Sequence, residues 1–143
     1  MKISTILQRK GDSVVTIHPD ATVLEAMRLL MKHRIGGVVV VRGAAPVGIL
    51  TERDVLRVGA EDPSHLTTEV VEAVMTHELI TASPDDDIDH VMHVMTEHRI
   101  RHLPIVVNGA LTGIVSIGDV VNTVRLEAQN ENQQLRAYIQ GAR

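Results

Sequence analysis

Two short segments hold the residues best suited to chemistry. Gly48-Ile49-Leu50-Thr51-Glu52-Arg53-Asp54 is answered by Gly113-Ile114-Val115-Ser116-Ile117-Gly118-Asp119. Each reads as a strand end followed by hydroxyl-x-x-Asp opening a helix. As structure, that pattern is an N-cap, with the acid favoured by the helix dipole. As chemistry, a helix start with a hydroxyl and unpaired N–H groups suits a phosphate. An ionised Asp, which can only accept, suits the paired hydroxyls of a ribose. The two roles are compatible, because the cap geometry aims the groups. Arg53 and Gly118 hold the same position in the two segments, so the two sites are expected to differ.

The elements around these segments are duplicated. When the chain is slid by 65 residues, Thr16 to Arg57 lies over Thr81 to Asn122 without a gap, and 13 of 42 positions are identical. The matches include Pro19/Pro84, Met27/Met92, His33-Arg34-Ile35/His98-Arg99-Ile100, Gly48-Ile49/Gly113-Ile114 and Asp54/Asp119. Self-similarity at one fixed offset marks an internal repeat. Each copy reads as βαββα. A short strand (Val14–Ile17, Leu79–Ala82) ends at Pro-Asp, and a helix follows with apolar residues at spacings of three and four. Thr22-Val23-Leu24-Glu25 fits a capping box. Gly36 is expected to end the first helix, and since Arg101 stands at the matching position, the second copy is expected to stop differently. Val38–Val41 and Val47–Leu50 form a hairpin, as do Leu103–Val107 and Leu111–Val115 around Asn108-Gly109. The second helix of each copy starts at Thr51 or Ser116, and Glu69–Met75 in the connector has the pattern of a short helix.

A single copy is too small to bury its own sheet and helices well. Two copies packed about a pseudo-two-fold axis are expected to share one core and to leave matching clefts between them. The fold class is therefore α/β (α+β), with a C-terminal helix. Along that tail, Val121, Val124, Ala128, Leu135, Tyr138 and Ile139 form a broken stripe that would meet either a second chain or its own module.

Composition removes several function classes. No Trp, no Phe and one Tyr leave no aromatic platform for bases, and a net charge of -4 gives no broad grip on nucleic acid. The absence of Cys excludes disulfides, thiolate metal sites and a thiol nucleophile. No apolar run approaches a membrane span, and the N-terminal residues lack the apolar stretch of a secretory signal, so a cytoplasmic address is expected. There is no P-loop, no Ser-His-Asp constellation and no well-spaced His/Asp metal cluster, which argues against an enzyme. His90 and His93 fall opposite the apolar face, Asp85-Asp86-Asp87 sits at a helix start, and Met27, Met31, Met92 and Met95 read as packing. His33-Arg34 and His98-Arg99 read as helix C-terminal charges.

The doubled unit, with His-Arg-Ile before the hairpin and Gly-Ile-x-Thr/Ser-x-x-Asp after it, resembles a tandem CBS-domain (Bateman) module over nearly the whole chain. The resemblance divides the chain into repeat 1 (8–66), repeat 2 (67–127) and a helical tail (128–143). It implies adenosyl ligands in the clefts between repeats, namely AMP, ADP, ATP or NAD, with S-adenosylmethionine placed behind them. It also implies regulation of a separate protein partner, a homodimer, and no nucleic-acid or membrane partner. One site would use Ser116 and Asp119 with Lys10, Gly11, Asp12, Thr16, His18, Ile35, Gly36, Gly37 and Ile114. The other would use Thr51 and Asp54 with Ile49, Arg53, Thr76, His77, Thr81, Arg101, His102 and Pro104. With no aromatic ring available, adenine would lie between aliphatic side chains such as Ile35, Ile49 and Ile114. Gly36-Gly37 would let a ligand approach the backbone closely. No catalytic residue, catalytic cofactor or metal is implied. The competing reading is a ligand-free dimerisation or adaptor module.

Overall fold

The computed structural model describes residues 1–11 and 13–141. A helix α1 (Ile3–Lys10) precedes the first copy, which runs β1 (Thr16–Ile17), α2 (Val23–His33), β2 (Gly37–Arg42), β3 (Ala45–Thr51) and α3 (Glu52–Glu61). Two short helices, α4 (His65–Thr68) and α5 (Val71–Val74), lie in the connector. The second copy runs α6 (Ile88–His98), β4 (His102–Val107), β5 (Ala110–Ser116) and α7 (Ile117–Gly141). The two copies meet through equivalent elements, β3 against β5 and Gly37 against His102, as a pseudo-two-fold axis requires.

The hairpins repeat residue for residue. Gly37 pairs with Thr51 and Val38 with Leu50, while His102 pairs with Ser116 and Leu103 with Val115. Both ladders slip at equivalent places, between Val40/Val41 and Ile105/Val106. Such a bulge leaves one residue unpaired and bends its strand. Asn108 and Gly109 close the second hairpin at φ 51° and 79°, which is the left-handed pair that an Asn-Gly turn favours.

The first strands are shorter than expected. β1 keeps two residues on β2, and in the second copy only the bridge Ala82↔Ile105 survives. Pro104 accounts for the difference. Its carbonyl accepts from the Ala82 N–H at 3.0 Å, but it has no N–H to give to the preceding rung, which Val39 supplies in the first copy.

The first-copy and second-copy helices end alike, contrary to the sequence expectation. Arg34 (φ 53°) and Arg99 (φ 55°) both adopt the left-handed conformation, before Gly36 or its counterpart is reached. The N–H of Ile35 then returns to the Leu30 carbonyl at 3.1 Å, and that of Ile100 to Met95 at 3.0 Å. Each isoleucine packs on its own core, the apolar contact that commonly accompanies this type of helix end.

Each copy also has its own core rather than a shared one. Val23, Leu30, Val38, Val40 and Leu50 form the first, and their counterparts Ile88, Met95, Leu103, Ile105 and Val115 form the second. A segment outside the aligned copies, Thr16–Arg57 and Thr81–Asn122, closes each core. Val71 and Met75 close the first, whereas Ile3 and Ile6 of α1 close the second. Glycine makes room for this closure, since a Cβ on Gly113 would stand 2.7 Å from Leu7 Cδ2 and one on Gly48 would run into Met75.

Helix α7 extends for 25 residues, about 37 Å at the helical rise. Beyond Leu126 every described residue is exposed, including Leu135, Tyr138 and Ile139. The tail therefore does not fold back on its own module. Among the described residues no helix is long and apolar enough to cross a membrane.

Candidate functional site

The first cleft begins where β3 becomes α3. Thr51 Oγ1 accepts from the Asp54 N–H at 3.4 Å, and Asp54 Oδ2 accepts from the Thr51 N–H at 2.8 Å and its hydroxyl at 3.1 Å. This reciprocal cap fixes the strand–helix corner. The other Asp54 oxygen lies 3.2 Å from Arg57 Nη1. Asp54 is only 8% exposed and faces the cap, so Thr51 and Arg53, not Asp54, present their side chains to the cleft.

In front of Thr51 opens a cavity of about 730 Å³ walled by both repeats. Repeat one contributes Gly36, Ile49, Thr51 and Arg53, and repeat two contributes Arg101, His102 and Pro104 across from them. Thr76 joins the wall because its backbone exchanges two hydrogen bonds with Ile49, at 3.0 and 3.1 Å. Seven residues expected here (Ile49, Thr51, Arg53, Thr76, Arg101, His102 and Pro104) thus come together, whereas Asp54 lies behind the wall and the exposed His77 and Thr81 are not on it. Gly36, expected at the other cleft, lines this one.

Sequence reasoning missed several wall residues. Glu52 adjoins Thr51 and could have been read from that contiguity. Arg99 and Met95 were legible only in structural roles, as a helix-end charge and as packing, yet both also face the cavity. Glu78, Leu79 and Ile80 come from the approach to the second repeat, where no pattern marks a site.

At the axis the two repeats meet at equivalent positions. Gly37 opens β2 and His102 opens β4, and the imidazole lies over the glycine. A Cβ on Gly37 would be 3.1 Å from His102 Cγ and Nδ1. Residues that lie on the axis confront their own counterparts, so there one can be large only if the other is small. The space that Gly36-Gly37 was expected to offer a ligand is therefore taken, over Gly37, by His102. Burial pushes the His102 pKa below its ordinary value, with Lys10 and Arg101 adding to the effect and Glu52 and Asp119 opposing it.

The second cleft has the same cap with a different occupant. Ser116 Oγ accepts from the Asp119 N–H at 3.1 Å, and Asp119 Oδ2 accepts from the Ser116 N–H at 2.9 Å. Lys10 reaches in from the end of α1 and donates to Asp119 Oδ2 at 2.8 Å and to the Ile114 carbonyl at 2.9 Å. Burial raises the Asp119 pKa, but the Lys10 hydrogen bond and charge and the Ser116 donors outweigh it and hold the carboxyl below the usual range. Gly11 ends α1 at φ 89°. Asp12 lies outside the described residues. Thr16 is exposed on β1 and Ile35 is half-buried at the end of α2. His18 is exposed, its Nδ1 accepting from the Asp20 N–H at 3.1 Å. Among the described residues no three His, Asp or Glu gather as metal ligands.

The family model described as the CBS domain matches residues 6–61 and again residues 71–125. The chain belongs to the CBS-domain family. This CBS pair is 40% identical to a mitochondrial CBS domain-containing protein of Arabidopsis thaliana, over 97% of the chain and 72% of that protein. It is 34% identical to the CBS domain-containing protein YhcV of Bacillus subtilis, covering 82% of the chain and 84% of that protein. Among solved structures, the CBS-domain protein ATU1752 of Agrobacterium tumefaciens superposes with a TM-score of 0.81 at 38% identity, over 86% of this chain and 98% of that one. The CBS pair of protein MJ0100, described in complex with 5′-methylthioadenosine and S-adenosyl-L-methionine, gives a TM-score of 0.77 at 28% identity, over 87% and 99%.

Proposed function

We propose that this CBS pair is a non-catalytic regulatory module that binds an adenosyl nucleotide between its repeats and passes occupancy to a separate protein. The observation that carries this reading is the cavity of about 730 Å³ walled by both repeats, a size in the range of small-molecule sites. Because the wall comes from two repeats, a ligand that bridges them favours one relative orientation, and differential affinity is what a switch requires. Aliphatic residues Ile49, Ile100 and Ile117 offer adenine an apolar slot, and Thr51 and Arg53 face a sugar-phosphate. The adenosyl ligands of the MJ0100 pair support the same chemistry here. AMP, ADP, ATP and NAD are the ligands proposed. A cytoplasmic address belongs to the proposal, although the Arabidopsis relative is named as mitochondrial.

Thermal-shift titration with these nucleotides and S-adenosylmethionine tests the reading. A ligand at a hundred times its dissociation constant adds about 2.7 kcal/mol to stability. Thr76→Trp, which fills the cavity from an exposed wall position, should abolish the shift. No stabilisation by any adenosyl compound would remove the function. A second reading, a dimerisation module, is favoured by Lys10 in the second cleft and by the exposed apolar residues of α7. A homodimer through α7 is compatible with both readings, and sedimentation of an α7 truncation after Leu126 reports on it.

A further inference from the structure

We infer that the open cleft selects adenosyl ligands carrying two or more phosphates, and that its pseudo-symmetric counterpart does not. This deepens the adenosyl reading above and rests on it. Three arginines line the cavity, with Arg53 on α3 and Arg99 and Arg101 flanking the α6–β4 junction on the opposite repeat. Among the described residues, ion pairs and side-chain hydrogen bonds engage Arg9, Arg42, Arg57 and Arg125, but none of these three. Guanidinium groups present fixed forks that match phosphate oxygens. Because the three stand on opposite repeats, an anionic chain lets each meet a different phosphate while tying the repeats together.

Two carboxylates, Glu52 and Glu78, share the wall. Glu52 Oε1 lies 3.6 Å from where a Gly36 Cβ would stand, beside the His102 ring at the axis. Its charge therefore stands on the Gly36–His102 side of the cavity. The three cations still outnumber the two acids, and a phosphate chain can run along the arginines. The other cleft provides an internal comparison. A shift of 65 residues puts Gly118 in place of Arg53, Arg34 in place of Arg99 and Gly36 in place of Arg101. Only one of the three cations is retained, and Lys10 is already held by Asp119 and Ile114.

Calorimetric titration of the full chain with adenosine, AMP, ADP and ATP at fixed ionic strength tests the inference. Affinity should rise stepwise, most steeply from AMP to ADP. Arg53→Gln and Arg101→Gln should each weaken ADP and ATP about tenfold while leaving adenosine unchanged, as loss of one charge-assisted contact requires. Arg53→Lys should retain part of the affinity. Arg99→Asn, which keeps a residue tolerant of positive φ, should follow the glutamine variants. Melting temperatures of the unliganded variants establish that each is folded. Affinity for ADP no greater than for AMP or adenosine would overturn the phosphate inference while leaving the adenosyl reading intact. Failure of every adenosyl compound would overturn both.

Discussion

Replacing Lys10 with Met keeps the aliphatic stem and removes the ammonium that ties α1 to the β5–α7 corner. The ammonium makes two bonds, at 2.8 Å to Asp119 and 2.9 Å to the Ile114 carbonyl, with side chains 36% and 24% exposed. A hydrogen bond to a charged group contributes about 1.5–3 kcal/mol when protected from water, and solvent screening brings a partly exposed pair toward 1 kcal/mol. Adding the bond to the neutral carbonyl, a loss of about 1–2 kcal/mol is expected, which lowers the melting temperature of a chain this size by roughly 2–6 °C. Urea unfolding followed by circular dichroism across a pH series measures it. Because the folded Asp119 pKa lies below its ordinary value of 3.8, its contribution is present above that value and is lost as pH falls through the folded pKa. Lys10→Met should therefore flatten the acid limb as well as lower the plateau. A variant as stable as the parent at pH 7, with an unchanged acid limb, would refute the role assigned to this bridge.

Three further outcomes follow from the same contacts. Gly37→Ala places a Cβ 3.1 Å from the His102 ring and should cost about 1–3 kcal/mol in urea unfolding, with His102→Ala in the same chain restoring part of the loss. His102 has a folded pKa below its ordinary 6.5, so the native state takes up fewer protons than the unfolded chain; stability should decline as pH falls from 6.5 toward the folded value, and His102→Asn should remove that slope. Thr51→Ala removes the hydroxyl half of the α3 cap and should destabilise by about 1 kcal/mol in the same assay, while Thr51→Ser should be close to neutral.

The repeat made much of the fold legible. Once Thr16–Arg57 is laid over Thr81–Asn122, the βαββα order, the two hairpins and the paired apolar positions follow from one offset, whereas the shared bulges appear only in the paired strands. What closes each core could not be read in the same way. Ile3, Ile6 and Leu7 mark an apolar helix face, but nothing in an eight-residue helix says which sheet it covers, and α1 covers the sheet farther along the chain. The helix ends are not legible because Gly36 is the stronger stop signal in the first copy, the second copy has no counterpart to it, and arginine at positive φ is uncommon. In the site, hydroxyl-x-x-Asp marked both clefts, yet capping and ribose binding call on the same atoms, so sequence alone could not show that Asp54 is turned inward. The family resemblance implies Lys10 beside Ser116 and Asp119, but its hold on the carboxylate depends on how α1 docks, which is a tertiary fact.

The most direct measurement is an amide chemical-shift titration of the isotope-labelled full chain with ADP. The expected result is saturable shifts concentrated at Thr51–Arg53, Thr76 and Arg99–His102, with α7 beyond Leu126 unaffected. Absence of any shift, or shifts confined to α7 beyond Leu126, would contradict a nucleotide site between the repeats.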